Sequence, residues 1–184
     1  KDPKDIASIE QLFLTGQHLE QYRHATYDPT EYYKEALRRE PGDIRCNNAM
    51  GLWLMRKGQF AMAEPYFRKA IGTQTERNPN PYDGEPHYNL GWSCLMQGKT
   101  DEAYDAFFKS AWNAAWQDAA YYNLAAIDCR RGNFEKALDL IDRSLVRNWH
   151  HHKARQLKAS ILRHLGRKEE ALDLMAESLK IDGF

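Results

Sequence analysis

The stretch Gly91–Ala137 reads GWSCLMQGKTDEAYDAFFKSAWNAAWQDAAYYNLAAIDCRRGNFEKA and holds one copy of an internal repeat and the start of the next. Within it, Gly98 and Gly132 lie 34 residues apart. Five residues after each glycine comes an alanine, Ala103 or Ala137. A fixed period of this length is typical of proteins built from stacked helical units.

The same pattern recurs along the chain in five registers. The glycines, spaced 40, 34 and 34 residues apart, are Gly58, Gly98, Gly132 and Gly166. The alanines five residues later are Ala63, Ala103, Ala137 and Ala171. The tiny residues seven positions before the glycines are Gly51, Gly91, Ala125 and Ala159. The large apolar residues nine positions after them are Phe67, Phe107, Ile141 and Met175. The small residues twelve positions after them are Ala70, Ser110, Ser144 and Ser178.

Each register has a physical role in a pair of helices. A glycine just past a helix end can adopt the positive φ that terminates the helix. Tiny residues and alanines allow two helices to approach closely, and the large apolar residue fills the space between neighbouring units. The pattern therefore predicts a helix, a short turn and a second, antiparallel helix in every unit.

The combination of Asn89-Leu90-Gly91 with Gly98, and of Asn123-Leu124-Ala125 with Gly132, resembles the tetratricopeptide repeat. The resemblance implies an all-α, right-handed superhelix of about five repeats that forms one domain over residues 1–184. The expected repeats are 5–42, 43–83, 84–117, 118–151 and 152–184. The first-helix tryptophan of the family pattern is replaced by Asn47, His87, Tyr121 and Arg155, and its closing proline is kept only at Pro41.

Composition narrows the classes of partner and compartment. The 26 basic and 26 acidic side chains balance, which argues against nucleic acid as a partner because its binding requires a basic surface. No apolar run approaches the roughly 20 residues that span a bilayer, and no signal peptide is evident, so we expect no membrane partner. The three cysteines predict free thiols in a reducing compartment, and hence a cytoplasmic protein.

Local signals predict several helix boundaries. Asp2 or Asp5 is expected near the start of the first helix, in a repeat weakened as terminal units often are. Asp28 is expected as an N-cap with Pro29 at the first helical position, and Asp43 as the next cap.

Two segments depart from the regular repeat. The spacing of 40 residues places an insertion at 73–84, expected to be a loop or a loop after an extra helical turn. The insertion either has no functional role or contacts a neighbouring domain. The second helix of the third repeat is predicted to carry Trp112 and Trp116 on one face, for the core or for docking a partner.

No arrangement typical of catalysis is present, so we predict a protein that is not an enzyme and has no cofactor or metal. The cluster His150-His151-His152 resembles a metal site in composition. Consecutive helical residues point about 100° apart, so the three imidazoles cannot share one ion there.

The resemblance implies that first helices line a concave groove and places twelve residues in it. These are Arg45, Asn48, Leu52, Arg56, Tyr88, Asn89, Trp92, Tyr122, Asn123, Arg130, Lys153 and Arg163. Asn89 and Asn123 share one register, and family members that bind extended peptides use asparagines there to hold the peptide backbone. The alternative is that these amides only join neighbouring first helices.

The leading function is a non-catalytic interaction scaffold that binds an extended peptide or a partner domain. More weakly, residues 83–145 resemble the repeat region of large, uncharacterised bacterial proteins with carbohydrate-related β-sandwich domains. That resemblance implies a helical support or dimerisation region in a glycoside-active protein. The expected partners are thus a protein or peptide, another domain of the same chain, or a second copy forming a homodimer.

Overall fold

The computed structural model describes residues 1–22 and 26–181, and every regular element in these ranges is helical. The α-helices are α1 (Ile9–Gln21), α2 (Pro29–Arg39), α3 (Ile44–Arg56), α4 (Phe60–Thr75), α5 (Glu85–Met96), α6 (Thr100–Ser110), α7 (Gln117–Arg130), α8 (Phe134–Arg147), α9 (His152–His164) and α10 (Lys168–Ile181). Short 3-10 turns lie at Pro3–Asp5 and Ala114–Trp116. The predicted all-α class is confirmed. Within the described ranges, no helix combines the length and the apolarity that crossing a bilayer requires.

The chain divides into two compact units. Unit 1 contains Lys1–Tyr82 and Asn89–Lys99, and unit 2 contains Asp83–Tyr88 and the chain from Thr100 onward. In unit 1, α1 packs on α2, α2 on α3, and α3 on α4. In unit 2, α6 to α10 pack in the same sequential way. Within each unit the helices are therefore arranged as neighbouring pairs, as the repeat predicts.

The four turn glycines have the conformation that the sequence predicts. Gly58, Gly98, Gly132 and Gly166 have φ between +73° and +77°. In the turn at Gly132, the Asn133 amide donates to the Asp128 carbonyl at 2.9 Å, which satisfies a carbonyl at the helix end. A Cβ at Gly132 would meet no atom within 4 Å. Glycine is thus required there by the backbone and not by lack of space.

A tiny residue facing an aromatic ring brings the helices of a pair together. A Cβ added at Gly51 of α3 would overlap the Phe67 ring of α4. Gly16 of α1 faces Tyr33 of α2 in the same way, with three ring carbons within 3.0 Å of the added Cβ. The repeat predicted to be weakened therefore keeps its central contact, and its turn position lies among residues 23–25, outside the described ranges.

The predicted N-caps of α2 and α3 are confirmed. The Asp28 carboxylate accepts from the Thr30 amide with Pro29 at the first helical position, and Asp43 accepts from the Cys46 amide. The prediction for the first helix was wrong in detail. Asp2 caps only the 3-10 turn. Helix α1 begins at Ile9, because Ser8 has an extended backbone and its hydroxyl oxygen accepts a hydrogen bond from the Gln11 amide.

The two irregular segments differ from each other. Helix α4 continues to Thr75 and a loop then runs to α5, as predicted for a loop after extra helical residues. The prediction that Trp112 and Trp116 share one face of a second helix was wrong, because α6 ends at Ser110. Trp112 lies in the following turn, and Trp116 closes a 3-10 turn that the Asn113 side chain caps through the Ala115 amide.

We expect Gly132→Ala to lower the free energy of unfolding by about 1 kcal/mol, because an alanine at positive φ is strained. Gly72 provides the matched control, since it lies inside α4 and its added Cβ would also meet no atom within 4 Å. Gly72→Ala should raise the free energy of unfolding by about 0.5 kcal/mol, as alanine favours a helix. Urea denaturation of both variants measures the two changes. If both substitutions changed the free energy of unfolding in the same direction, the assignment of the turn would be contradicted.

Candidate functional site

In unit 1 the predicted groove residues lie on α3 and on the later part of α5, and α1 packs beside α3. Arg45 lies 3.5 Å from Glu10 and its guanidinium is 4.9 Å from the centre of the Phe13 ring. Arg56 forms an ion pair with Glu20. Both predicted cations of this unit are therefore neutralised by carboxylates of α1.

The predicted groove residues do not include Glu10 and Glu20, because the first repeat departs most from the regular pattern. A signal for them was available in the sequence. Gly16 precedes Gly51 by 35 residues, and the same offset relates Glu10 to Arg45. Reading that register back by one repeat would have placed α1 on the same face as α3.

The amide of Asn89 is engaged within unit 1. Asn89 is only 5 % exposed, and its Nδ2 donates to Oδ1 of Asn48 at 2.9 Å. Asn48 is half-buried on α3, so this bond joins two first helices. Leu52 and Trp92 are half-buried on the same two helices. The contact matches the structural role considered for the asparagines, and their hold on a peptide backbone stays a prediction.

Asn123 makes the corresponding bonds in unit 2. It is 4 % exposed, and its Nδ2 donates to the Ala119 carbonyl at 2.9 Å and to the Tyr88 hydroxyl at 3.3 Å. The half-buried Tyr88 ring packs against Phe107 and Trp116, with ring centres 5.5 and 4.8 Å away. Tyr88 is therefore mainly a packing residue, and its hydroxyl joins α5 to α7.

The remaining predicted residues of unit 2 lie on α7 and α9, which contact each other. We call Tyr122, Arg130, Lys153 and Arg163 the α7/α9 face. Its three cations are exposed, and none has an ion-pair partner within the described ranges. Tyr122 is half-buried, and its ring centre lies 4.9 Å from that of His151. In contrast to the cations of unit 1, the charge of this face is not neutralised.

The three consecutive histidines do not share a helix, contrary to the prediction, because α9 begins at His152 and His151 is its N-cap. His151 packs on Tyr122, whereas Nδ1 of His152 lies 2.5 Å from the guanidinium of Arg155. Burial lowers the pKa of His151, partly offset by the nearby Asp118 carboxylate. His151 is thereby favoured in its neutral form as a packing ring.

His87 occupies the position of the family tryptophan and is buried like one. It is 5 % exposed, and its Nδ1 has no hydrogen-bond partner within the described part of the chain. Burial, and then the charge of Lys109, lower the pKa of His87 to about 4. The ring is therefore neutral near pH 7 and serves the core of unit 2.

The chain belongs to the tetratricopeptide repeat family. The model of that family matches residues 48–120 and 122–184, well over half of the sequence. This match confirms the first resemblance drawn from the sequence, while the weaker one to large bacterial proteins stays a prediction. Membership supports a role in binding proteins, and tetratricopeptide proteins are typically non-catalytic scaffolds.

Solved structures share this fold at low sequence identity. The crystal structure of MamA is 19 % identical with a TM-score of 0.78, and the match covers 94 % of this chain and 90 % of MamA. PilF of Pseudomonas aeruginosa is 17 % identical with a TM-score of 0.74, covering 92 % and 76 % of the two chains. YrrB, described as a tetratricopeptide protein with an unusual peptide-binding site, is 17 % identical with a TM-score of 0.72, covering 94 % and 84 %. The fold is thus the tetratricopeptide solenoid.

We expect Asn89→Ala to lower the free energy of unfolding by roughly 1 kcal/mol, since it removes the bond to Asn48. In an Asn48→Ala background the same change should cost less, because its partner is already absent. Asn80→Ala, in the exposed loop after α4, serves as the control and should change stability by less than about 0.5 kcal/mol. If the two substitutions lowered the free energy of unfolding additively, the hydrogen bond between Asn89 and Asn48 would not contribute to stability.

Proposed function

We propose that this protein is a non-catalytic interaction scaffold whose α7/α9 face binds an extended, acidic peptide or the acidic surface of a partner domain. The observation that carries the proposal is the set of exposed cations Arg130, Lys153 and Arg163 on two adjacent first helices. In unit 1, by contrast, the arginines of the first helices are paired with the carboxylates of Glu10 and Glu20. The α7/α9 face has no such carboxylates among its described contacts.

The positions of the cations favour an extended ligand. Arg130 and Arg163 lie in the last turns of α7 and α9, whereas Lys153 lies in the first turn of α9. A helix of 13 residues such as α9 is about 20 Å long. Lys153 and Arg163 are ten residues apart, about 15 Å along the helix axis, which matches carboxylates several residues apart in an extended peptide. Guanidinium groups donate to carboxylates in bidentate, charge-assisted hydrogen bonds.

Tyr122 supplies apolar area near the start of α9, beside His151. Its ring is held against His151 and is half-buried, so it can contact a peptide without first losing conformational freedom. The asparagines contribute indirectly in this proposal. Asn123 fixes α7 relative to Tyr88, and thereby keeps the face in shape.

An array of 12-residue peptides that vary in net charge tests the proposal. We expect acidic peptides to bind and their neutral analogues to bind at least tenfold more weakly in fluorescence anisotropy. The variant Arg130→Ala, Lys153→Ala, Arg163→Ala should reduce the affinity for the best acidic peptide by at least tenfold, with affinity falling as salt rises.

The matched control is Arg147→Ala, Lys168→Ala, Lys180→Ala, which removes the same charge from exposed positions of α8 and α10. It should bind the acidic peptide within about twofold of the unchanged protein, because these cations lie off the proposed face. Equal losses in both variants, or no peptide binding at all, would refute the α7/α9 face as a binding site. Far-UV circular dichroism confirms that each variant is folded.

The proposed compartment is the cytoplasm. Cys46, Cys94 and Cys129 are thiols and not disulfides, and the first two are buried. Burial raises the pKa of Cys46 and Cys129, which favours the unreactive thiol form.

A second candidate is the helical support or dimerisation region of a longer protein. It is favoured by α10, where Leu172 and Leu179 are about two-thirds exposed, at 70 % and 68 %. Large apolar side chains on one helix suit contact with another domain of the same chain or with a second copy.

A further inference from the structure

A groove lies in unit 2 between the second helices α8 and α10, with α9 at its base. Its volume is about 300 Å³. Three leucines form an apolar floor, since Leu162 and Leu174 are buried and Leu138 packs against them from α8. Trp149, which is 38 % exposed, forms a wall. The groove shares no residue with the α7/α9 face.

Carboxylates surround this floor and are only partly neutralised. Asp142 pairs with Lys158 at 2.7 Å, and Glu170 pairs with Arg167 through two contacts of 2.5 and 2.7 Å. Two further groove residues, Asp173 and Glu177, have no ion-pair partner within residues 1–22 and 26–181. They lie four residues apart on α10 and so on one side of the helix.

We propose that this groove binds a basic segment of a partner protein, with an arginine or lysine side chain seated between Trp149 and the carboxylates of Asp173 and Glu177. The occupant follows from charge complementarity. Four carboxylates and two cations line the groove, so it carries a net charge of minus two. An acidic or neutral segment would leave Asp173 and Glu177 without a partner.

The shape of the groove agrees with this occupant. A long cationic side chain has apolar methylenes and a charged end, which match an apolar floor and an acidic rim. The Arg155 guanidinium already lies 6.0 Å from the centre of the Trp149 ring, so an incoming guanidinium would stack on the other face of the indole. A volume of about 300 Å³ lies at the low end of ligand pockets, so it suits one or two side chains and not a large cofactor.

The groove also differs in position from the site of the proposed function. The groove opens between the second helices α8 and α10 and includes Lys158 and Leu162 of α9, whereas the α7/α9 face carries other residues of the first helices. The two sites have opposite charge, so one segment of uniform charge cannot satisfy both. Unit 2 would then hold two different partners, or two segments of one partner.

The test uses a fluorescein-labelled 12-residue peptide in which pairs of arginines alternate with pairs of leucines. The peptide is titrated with the full chain. Its control peptide carries citrulline in place of each arginine, which keeps the shape and removes the charge. We expect measurable binding of the arginine peptide and at least tenfold weaker binding of the citrulline peptide. Asp173→Asn with Glu177→Gln should weaken the arginine peptide at least tenfold, and Trp149→Leu at least threefold.

The matched control is Asp105→Asn with Glu135→Gln, which removes two exposed carboxylates of α6 and α8 that do not line the groove. It should bind the arginine peptide within twofold of the unchanged chain. Equal weakening by both double variants would overturn the proposal, because binding would then follow overall charge only. Equal affinity for the citrulline peptide would overturn it as well, since the floor alone would then explain binding.

Sedimentation velocity, run without peptide, tests the alternative that a second copy of the chain occupies the groove. We expect the unchanged chain and the Asp173→Asn, Glu177→Gln variant to sediment alike. Self-association that is lost in this variant alone would overturn the proposal in favour of a second copy of the chain in the groove.

The variant with alanine at Arg130, Lys153 and Arg163 should still bind the arginine peptide. This result would show that the groove is independent of the α7/α9 face.

Discussion

In unit 1 the contact between a glycine and an aromatic ring sets the distance between the two helices of each pair. At Gly51 there is no room for even one additional carbon beside the Phe67 ring, and Gly16 and Tyr33 repeat this arrangement in the first pair. Both helix pairs of unit 1 have this contact, and their first helices α1 and α3 lie against each other.

Polar contacts then determine what each face can do. In unit 1 the carboxylates of α1 satisfy Arg45 and Arg56, and the Asn89 amide is bonded to Asn48. In unit 2 the Asn123 amide is bonded as well, but the cations of α7 and α9 remain exposed. The difference between the units arises from the charges on neighbouring helices and not from the repeat itself.

Much of this architecture could be predicted from the sequence, since periodic glycines and N-cap residues act through local backbone geometry. The positive φ at Gly132 and the cap at Asp28 are examples. What could not be predicted depends on contacts between helices. A register places Asn89 on a helix face but does not reveal that Asn48 is its partner. Likewise, the end of α6 at Ser110 accompanies the packing of Trp116 on Tyr88, which no local pattern specifies.

The most direct test of the central contact is a double-mutant cycle between positions 51 and 67, read out as the free energy of unfolding in urea. Gly51→Ala alone should cost more than about 1 kcal/mol, because the added Cβ overlaps the Phe67 ring. In a Phe67→Leu background, which lacks the outer ring carbons, the same change should cost at least about 1 kcal/mol less. If the two changes were instead additive within about 0.3 kcal/mol, the contact between Gly51 and Phe67 would not set the separation of the helices.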